Sequence, residues 1–424
     1  MDYGYFPSAE VINIKAAEIK ADANFHGTAM NAERSYRANR MGFIDRSFLK
    51  GNSWWDESGI STEDEYKFAR KYFHSSRIWI AFFMRIATFH NPVREFSAIV
   101  KSTTIKRVKP EKGAFFETGF AMFTSELLKS APLISVVIPT LNRYPFLESV
   151  LNDFEKQEYK NFEIVIVDQS DPYQPDFYKK FNLNIKLLRQ EEKALWLARN
   201  TAIREAKGTW IALSEDDVRI PPDWLSNHLK CIDFFKSDIS AGVFFPEGGK
   251  IPDDRNFFRW ADQFATGNAC LKKEVFQKIG LFDRQFEKQR MGDGEFGLRA
   301  YLAGFKSVSN PYSWCEDVKA DTGGLRQSGS WDAYRPKSFW SPRPVPSVLY
   351  LYRKYFGLRA TLLSLIYNLP PSVVPYRFKR NKSAVIAGSL IAIALLPIIF
   401  IQVIRSWRIS SDMLKKPMIG KINE

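Results

Sequence analysis

Cysteine is scarce in this chain, which has 424 residues and three cysteines, Cys231, Cys270 and Cys315. The three lie far apart and show none of the short spacings that are typical of a metal site. An odd number of cysteines also cannot form a complete disulfide framework. The sequence therefore does not indicate a disulfide-stabilised fold, and its cysteine usage is typical of a protein in a reducing compartment.

The first residues of the sequence do not predict a secretory signal peptide. Residues 1–6 have neither the basic region nor the apolar region that such a peptide needs. No long cluster of basic residues is present either, although the formal net charge is +14. Because the basic residues are dispersed, we predict no nucleic-acid partner.

The middle of the chain contains a regular alternation of predicted strands and helices. Apolar, β-branched runs predict strands, and apolar residues at helical spacing predict the helices between them. The predicted strands are residues 133–138, 162–167, 185–188 and 210–213, and the predicted helices are residues 146–154 and 194–206, with Gly208 ending the second helix. This alternation predicts an α/β fold with a doubly wound, mainly parallel sheet.

Three consecutive carboxylates, Glu215, Asp216 and Asp217, follow the last of these strands. Carboxylates this close raise one another's pKa and oppose ionisation unless a cation neutralises them. A hard divalent ion such as Mg²⁺ or Mn²⁺ is one solution, and a solvated acidic turn is the alternative. Asp168 also ends a strand, and ligands of such sheets bind at the carboxyl ends of the strands. We therefore expect Asp168 and the acidic cluster to face one crevice.

The order of the motifs resembles that of the family 2 glycosyltransferases, which have the GT-A fold. The motifs are Val-Val-Ile-Pro-Thr-Leu-Asn-Arg at 136–143, Val-Asp-Gln-Ser at 167–170, Ala-Arg-Asn-Thr-Ala at 198–202, Glu-Asp-Asp at 215–217, Gly-Asn-Ala at 267–269 and Gly-Asp-Gly-Glu-Phe-Gly-Leu-Arg at 292–299. The resemblance covers roughly residues 131–345. It implies a GT-A-like domain that transfers a sugar from a nucleotide-sugar donor.

The same resemblance implies roles for residues within these motifs. Asp217 is the implied main ligand of Mn²⁺ or Mg²⁺, and Glu215 and Asp216 are implied to assist at the metal and at the ribose. Contacts with the nucleotide sugar are implied for Pro139, Thr140, Asn142, Asp168, Arg199 and Asp216. For Arg199, a structural salt bridge to the acidic strand ends is an equal alternative.

The last motif contains the implied catalytic base, Asp293. It would take the proton of the acceptor hydroxyl in a single displacement that inverts the configuration of the sugar carbon. The alternative interpretation is a helix N-terminus, where the helix dipole favours carboxylates such as Asp293 and Glu295. The two interpretations are compatible.

The sequence departs from the family pattern after this motif. Many members have a metal-ligating histidine there, whereas this chain has Asp317, with Glu316 as the alternative. The histidines of the chain are all elsewhere, at His26, His74, His90 and His228. A carboxylate can replace imidazole on an oxygen-binding ion, so we expect Asp317 to be a third metal ligand. A weakened or lost metal site is the alternative.

An uncharged run at residues 383–404 has the length of a membrane span. A basic stretch precedes it, with Arg377, Lys379, Arg380 and Lys382. Basic flanks are typical of the cytoplasmic side of a membrane. Basic residues also follow the run, at Arg405, Arg408, Lys415 and Lys416, so the orientation of a span stays open. We therefore predict C-terminal membrane-associated helices and a location at the cytoplasmic face of the inner (plasma) membrane. The predicted regions are a helical N-terminal extension at 1–130, a GT-A domain at 131–345 and a membrane-associated region at 346–424.

The resemblance thus implies an inverting glycosyltransferase of cell-surface polysaccharide synthesis. Its expected partners are a UDP-, dTDP- or GDP-sugar donor, a glycan or lipid-linked acceptor, and a membrane. Two alternatives stay open: a catalytically impaired membrane scaffold of the same fold, and a metal-dependent nucleotidyltransferase. The second would be expected to have a glycine-rich basic loop after the first strand, which residues 139–144 do not provide.

Overall fold

The computed structural model describes residues 20–42, 60–108, 116–261, 263–318, 340–374 and 381–422. Its internal contacts divide the chain into two compact units. The first is Met1–Ala121 with Phe257–Trp260, and the second is Met122–Asn256 with Ala261–Glu424. The domain boundaries near residues 130 and 345 stay predictions.

The helices and strands are numbered in chain order. The helices are α1 (Gly27–Arg40), α2 (Thr62–Tyr72), α3 (Ser75–Ala87), α4 (Pro92–Ser102), α5 (Glu117–Met122), α6 (Glu126–Lys129), α7 (Tyr144–Glu155), α8 (Leu195–Glu205), α9 (Trp224–Phe235), α10 (Lys273–Ile279), α11 (Gly292–Leu302), α12 (Pro346–Tyr355), α13 (Gly357–Ser372), α14 (Lys382–Ala394) and α15 (Leu396–Lys415). The strands are β1 (Ile134–Thr140), β2 (Phe162–Asp168), β3 (Ile185–Arg189), β4 (Trp210–Leu213), β5 (Val218–Arg219), β6 (Ile239–Pro246), β7 (Arg259–Trp260), β8 (Ala269–Lys272) and β9 (Ser307–Asp317).

The second unit is built around a mixed sheet with the strand order β3-β2-β1-β4-β8-β6-β9-β5. Strands β1 to β4 run parallel to one another, and β6 runs parallel to β9. Strand β8 is antiparallel to β4 and β6, and β5 is antiparallel to β9. The predicted α/β architecture with a mainly parallel central sheet is confirmed. The antiparallel pairs of β8 and β5 are additions that the sequence did not indicate.

The composition of the strands explains why both faces of this sheet are covered. Strand β1 is buried along its whole length, and its successive side chains point to opposite faces. Val137 joins a core with Ile203 of α8. On the other face, Ile138 joins a core with Phe154 of α7 and Leu229 of α9. The two cores fix the edge of the sheet at which β1, β2 and β4 end.

Gly208 has a different role from the predicted helix end. Helix α8 ends at Glu205, and Gly208 lies beside the start of β1. A Cβ at this position would lie 2.7 Å from both the Leu133 carbonyl oxygen and the Ser135 backbone nitrogen. The glycine is therefore needed because the backbone entering β4 passes very close to β1.

The apolar run that was predicted as one membrane span is divided between two helices. Helix α14 ends at Ala394, and α15 begins at Leu396. Among the described residues, no helix combines the length and the apolar character needed to cross a membrane. The basic residues at 377–380 lie outside the described part of the chain. Helix α15 packs Met413 into the core of the second unit.

The segment after α15 lies along the loop that precedes α11. The Leu281 N–H donates to the Gly420 carbonyl at 2.8 Å, and the Arg284 N–H donates to the Met418 carbonyl at 3.2 Å. Backbone hydrogen bonds of this kind fix two segments directly against each other. The C-terminal segment is therefore part of the wall of the second unit.

In the first unit, helices α2, α3 and α4 pack around a small apolar core. This core contains Tyr66, Ala69, Ile78, Ala98 and Ile99. Ion pairs join the same three helices, because Arg85 of α3 lies 2.5 Å from Glu65 of α2 and 3.0 Å from Glu95 of α4. The polar side of α3 is thereby held inside the unit.

Candidate active site

The ends of β1 and β4 meet at one edge of the sheet, where their side chains are hydrogen-bonded. Thr140, the last residue of β1, donates from Oγ1 to Asp216 Oδ2 at 2.8 Å. Pro139 lies within β1, in register with Val167 of β2, so the strand extends beyond its predicted end. The sheet thus brings Thr140 next to the acidic cluster.

Asp168 is fully buried at the end of β2 and accepts several internal hydrogen bonds. Its Oδ2 accepts from the hydroxyls of Tyr144 and Tyr178 at 2.7 and 2.8 Å, and its Oδ1 accepts from the Ser170 N–H at 2.8 Å. Burial, and then the charge of Asp168, raise the pKa of Tyr178 far above its usual range. Tyr178 therefore stays protonated and continues to donate to this carboxylate.

Asn142 connects the loops that follow β1 and β2. Its φ of 55° lies in the left-handed region, which asparagine tolerates better than most residues. Its N–H donates to Ser170 Oγ at 2.8 Å, and its Oδ1 accepts from the Asp171 N–H at 2.7 Å. These contacts position the two loops against each other.

A guanidinium lies between two carboxylates of the acidic cluster. Arg143 Nη1 is 2.9 Å from Asp216 Oδ1 and 2.9 Å from Asp217 Oδ2. Both carboxylates are buried, so this pairing offsets part of the cost of removing their charges from water. One oxygen of Asp216 and one of Asp217 therefore share a single guanidinium nitrogen as their partner.

Desolvation is the largest influence on the pKa values of Asp216 and Glu215. At Asp216 it is opposed by Arg143 and reinforced by the charge of Asp217, and the pKa of Asp216 rises to about 6. Desolvation also raises the pKa of Glu215 to about 7, against the opposing effect of Arg199. Because 40% of the Glu215 side chain is exposed, solvent screening reduces that shift.

Arg199 of α8 is buried and links the acidic cluster to Asp293. Its Nη2 donates to Glu215 Oε1 at 3.2 Å, and its Nη1 donates to the Thr266 hydroxyl. The same Nη1 lies 3.7 Å from Asp293 Oδ1, and the guanidinium carbon lies 5.3 Å from the centre of the Trp196 ring. The contacts observed for Arg199 are those of the structural salt bridge, and a phosphate contact stays a prediction.

Asp293 lies in the first turn of α11. Its Oδ1 accepts hydrogen bonds from the hydroxyl and the backbone N–H of Thr266. The N-terminal position favours a negative charge through the helix dipole. With 52% of its side chain exposed, Asp293 is both oriented by Thr266 and open to a ligand.

Glu295 lies on the same helix, with one residue between it and Asp293, and is fully buried. It accepts from Arg299 and Lys354, each at 3.1 Å, and from Tyr355 at 2.5 Å. Desolvation opposes its ionisation, but the charges of Arg299 and Lys354 outweigh that effect and lower the pKa of Glu295. Of the two carboxylates in the motif, Asp293 is therefore the one that is accessible.

The Gly-Asn-Ala motif shapes this region through packing. A Cβ at Gly267 would lie 2.4 Å from the Glu215 side chain, so the glycine leaves room for that carboxylate. Asn268 is buried, and its Oδ1 accepts from Trp224 Nε1 at 3.0 Å. The observed contacts of the motif are thus structural.

Asp317 ends β9 and lies beside the acidic cluster through the backbone. It pairs with Val218 of β5, and the Val318 N–H donates to the Asp217 carbonyl at 3.1 Å. Within the described ranges, no three His, Cys, Asp or Glu side chains gather as a ready metal site. The convergence of Asp216 and Asp217 nevertheless fits Mg²⁺, which takes one or two carboxylates and completes its coordination with substrate phosphates and water.

Sequence reasoning did not assign a role to Arg143 or Thr266, which the structure brings into the site. Arg143 is the last residue of the first motif, so its place in that motif could have indicated a role in the site. Thr266 gave no comparable signal, because its role depends on the approach of α8 and α11. Glu316, the alternative to Asp317, accepts from the Gly248 N–H at 2.7 Å.

Similar sequences include several glycosyltransferases. The family model described as Glycosyl transferase family 2 matches residues 135–301. Glycosyltransferase GlyA of Streptococcus pneumoniae is 26% identical over 162 residues, which cover 37% of this chain and 22% of that protein. Uncharacterized glycosyltransferase YwdF of Bacillus subtilis is 27% identical over 182 residues, which cover 39% of this chain and 67% of that protein. The chain spans 22% of GlyA and 55% of glycosyltransferase AglE of Haloferax volcanii.

One solved structure similar to this chain is that of mannosyltransferase PcManGT of Pyrobaculum calidifontis in complex with GDP-Man and Mn²⁺. The alignment covers 70% of this chain and 92% of the PcManGT chain. The sequence identity is 17% and the TM-score is 0.45. Its donor and its metal ion are properties of that protein alone. The match to the family model extends over Thr140, the acidic cluster and Asp293. Over residues 135–301, the chain is thus similar to family 2 of the glycosyltransferases.

Proposed function

We propose that this chain transfers a sugar from a UDP-, dTDP- or GDP-sugar to a hydroxyl of a glycan or lipid-linked acceptor, with inversion, in cell-surface polysaccharide synthesis. One observation carries the proposal. Arg199 bonds Glu215 of the acidic strand end and lies 3.7 Å from Asp293. Arg199 therefore brings together an acidic cluster, which suits an anionic donor once a divalent ion is bound, and an open carboxylate, which suits an acceptor that must lose a proton.

Asp293 is the proposed general base. In the displacement, the acceptor oxygen bonds to the anomeric carbon while the bond from that carbon to the diphosphate oxygen breaks. The proton of the acceptor hydroxyl passes to Asp293. The half-exposed position lets an acceptor approach, and Thr266 fixes the orientation of the carboxylate, so little reorganisation is needed when the proton moves.

Asp217 and Asp216 are the proposed holders of Mn²⁺ or Mg²⁺, with Asp317 next to them. Such an ion supplies Lewis-acid stabilisation of the charge that develops on the leaving diphosphate. Arg143 now contacts both carboxylates, so it must turn away before an ion can bind them. A guanidinium is a good partner for phosphate, and we expect Arg143 to bind the diphosphate after it leaves the carboxylates.

A donor screen tests this proposal. The protein is incubated with UDP-, dTDP- and GDP-sugars in Mn²⁺ or Mg²⁺, and the released nucleotide product is measured. Release of a nucleoside diphosphate supports glycosyl transfer. Release of pyrophosphate instead would identify a nucleotidyltransferase.

The scaffold alternative has one observation in its favour. Arg143 already contacts the two carboxylates that a metal ion would bind, so a structural ion pair offsets part of their charge without an ion. A chain that binds nucleotides without any effect of a divalent ion, and that turns over none of the donors, would support the scaffold. Turnover of any donor would exclude it.

We also propose that the C-terminal helices associate with the cytoplasmic face of the inner membrane. Helices α13, α14 and α15 expose apolar side chains to solvent. These include Leu358, Leu362, Ile366, Leu390, Ile391, Phe400 and Ile401. Soluble surfaces rarely expose apolar residues in such density, whereas helices that lie in a membrane interface do so.

Membrane fractionation tests this second proposal. The full-length chain should sediment with membranes and stay there in a high-salt wash. Leu362→Gln combined with Ile366→Gln, one turn apart on α13, should release part of it. Met122→Gln changes an exposed apolar residue outside the C-terminal helices and serves as the control. A wholly soluble wild-type chain would contradict the proposal.

A further inference from the structure

The hairpin of α3 and α4 in the first unit exposes an apolar surface of its own. Its members are Trp79 and Phe83 on α3, Phe89 in the turn, and Val93, Phe96 and Val100 on α4. Phe89 is 100% exposed and Phe83 is 63% exposed. We call these six residues the hairpin surface. Exposed aromatic rings in such a group are typical of an interaction site.

The hairpin surface is not the side on which the hairpin packs within its unit. Val93, Phe96 and Val100 recur at helical spacing and form one stripe along α4. Ala98 and Ile99 belong to the buried side of the same helix. Helix α4 thus has an apolar stripe in addition to the one that its own core uses, and the additional stripe faces solvent.

Polar contacts fix this orientation. The buried Glu95 of α4 lies 3.0 Å from Arg85 Nε of α3 and accepts from the Tyr66 hydroxyl of α2 at 2.8 Å. In the turn, Asn91 Oδ1 accepts from the Val93 N–H at 3.0 Å and starts α4. Turning the hairpin surface inward would require the buried Glu95 to lose these partners, which is costly.

The charges of the hairpin indicate what the surface binds. Glu95 is the acidic residue within α3 and α4, and it is buried. Arg77 of α3 and Arg94 of α4 are exposed. Lys101 of α4 is also exposed, and it lies 3.1 Å from Glu63 of α2. Aromatic and aliphatic stripes with adjacent cations and buried acid are typical of helices that lie on anionic lipid.

We propose that the hairpin surface docks on an anionic lipid bilayer, with its rings in the interface and the cations near the headgroups. A second copy of the chain fits less well. In a two-fold contact each surface meets its own copy, and the same cations would then face one another. The proposal depends neither on glycosyl transfer nor on the C-terminal helices.

A fluorescent label at the tip of the hairpin tests the proposal locally. The native cysteines are buried, so Phe89→Cys in the full-length chain offers an accessible thiol for an environment-sensitive fluorophore. Vesicles of phosphatidylglycerol should shift its emission to the blue and increase its intensity, and vesicles of phosphatidylcholine should do so less. A label at His26→Cys, an exposed position outside the hairpin, is the control and should not respond. The local signal reports the hairpin even if α13 to α15 also bind the vesicle.

Vesicle binding by substituted chains gives a second measure. Trp79→Gln and Phe83→Gln should each weaken binding to phosphatidylglycerol vesicles roughly tenfold, because each removes an aromatic ring from the interface. Met122→Gln, exposed outside the hairpin, should leave the affinity unchanged. A silent label together with unchanged affinity would overturn the proposal. A concentration-dependent dimer that these substitutions abolish, without a lipid response, would also overturn it and assign the surface to a second copy.

Discussion

Arg143 Nη1 lies 2.9 Å from the Asp217 carboxylate and equally close to that of Asp216. This contact keeps two buried carboxylates partnered when no metal ion is bound. It also makes Arg143 a competitor for any cation that enters the cluster. If the diphosphate of a donor attracts the same guanidinium, nucleotide binding should free the carboxylates and thereby strengthen metal binding.

Arg143→Gln should raise the affinity for Mn²⁺ in the absence of nucleotide, because the competing cation is removed. The same variant should lose most of the cooperativity between nucleotide and metal, for which coupling factors of roughly 5 to 150 are usual. Free Mn²⁺ is measured by electron paramagnetic resonance, with and without nucleoside diphosphate. This measurement reports binding alone, so it does not require that the protein convert a substrate.

Arg219→Gln is the matched control for this measurement. It removes a guanidinium that contacts Asp153 at 2.6 Å, outside the acidic cluster. Equal effects of the two substitutions on Mn²⁺ affinity would show that general charge, and not competition, is responsible. If no variant binds Mn²⁺ with or without nucleotide, the metal part of the proposed function fails as well.

Asp217→Ala should abolish transfer with little effect on the melting temperature, because it removes one of the two converging carboxylates and leaves Arg143 paired with Asp216. Chelation of the wild-type protein should have the same effect, and Mn²⁺ or Mg²⁺ should restore the activity. Initial rates of nucleoside diphosphate release measure both. Undiminished transfer in excess chelator would contradict a metal requirement.

Asp293→Asn should reduce transfer by a factor on the order of 10² to 10⁴, the usual contribution of a general base. The affinity for the donor should barely change, because the base acts on the acceptor in the transition state. Comparison of kcat with nucleotide affinity from calorimetry tests this.

Glu295→Gln is a useful comparison for Asp293→Asn, with a different expected result. Glu295 is buried against Arg299, Lys354 and Tyr355, so its substitution should lower the melting temperature. The folded fraction should keep much of its activity. If instead Glu295→Gln abolishes transfer in folded protein and Asp293→Asn does not, Asp293 is not the base.

The raised pKa of Asp216 predicts a pH-dependent stability in metal-free protein. An acid whose pKa is raised from 3.8 to about 6 on folding holds its proton more tightly when folded. Its contribution to stability is present below pH 3.8 and is lost as the pH rises through about 6. The full loss corresponds to roughly 3 kcal/mol. Asp216→Asn removes this titration, so the melting temperature of the variant relative to wild type should be higher at pH 8 than at pH 4. An equal difference at both pH values would contradict the shift.

The sequence predicted the alternation of strands and helices because buried strands and amphipathic helices repeat their apolar residues at fixed intervals. It also located Thr140 and the acidic cluster at the ends of strands, which follows from chain order alone. The pairing of Arg143 with Asp217 was not predictable in this way, because a single polar residue has no periodicity. The link from Arg199 through Thr266 to Asp293 similarly depends on how distant helices approach. The division of the apolar run at Leu395 was missed because a hydropathy pattern shows where apolar residues lie but not where one helix ends and the next begins.

The hydrogen bonds of Leu281 and Arg284 with residues 418–420 have a practical consequence for anyone who handles this protein. Removing the apolar C-terminal helices is an obvious way to improve solubility. It would also remove the hydrogen-bond acceptors of the loop that precedes α11, the helix that carries Asp293. A shortened protein should therefore be inactive for reasons unrelated to lipid. Detergent, or polar substitutions on the exposed side of α13, would preserve the working enzyme where truncation would not.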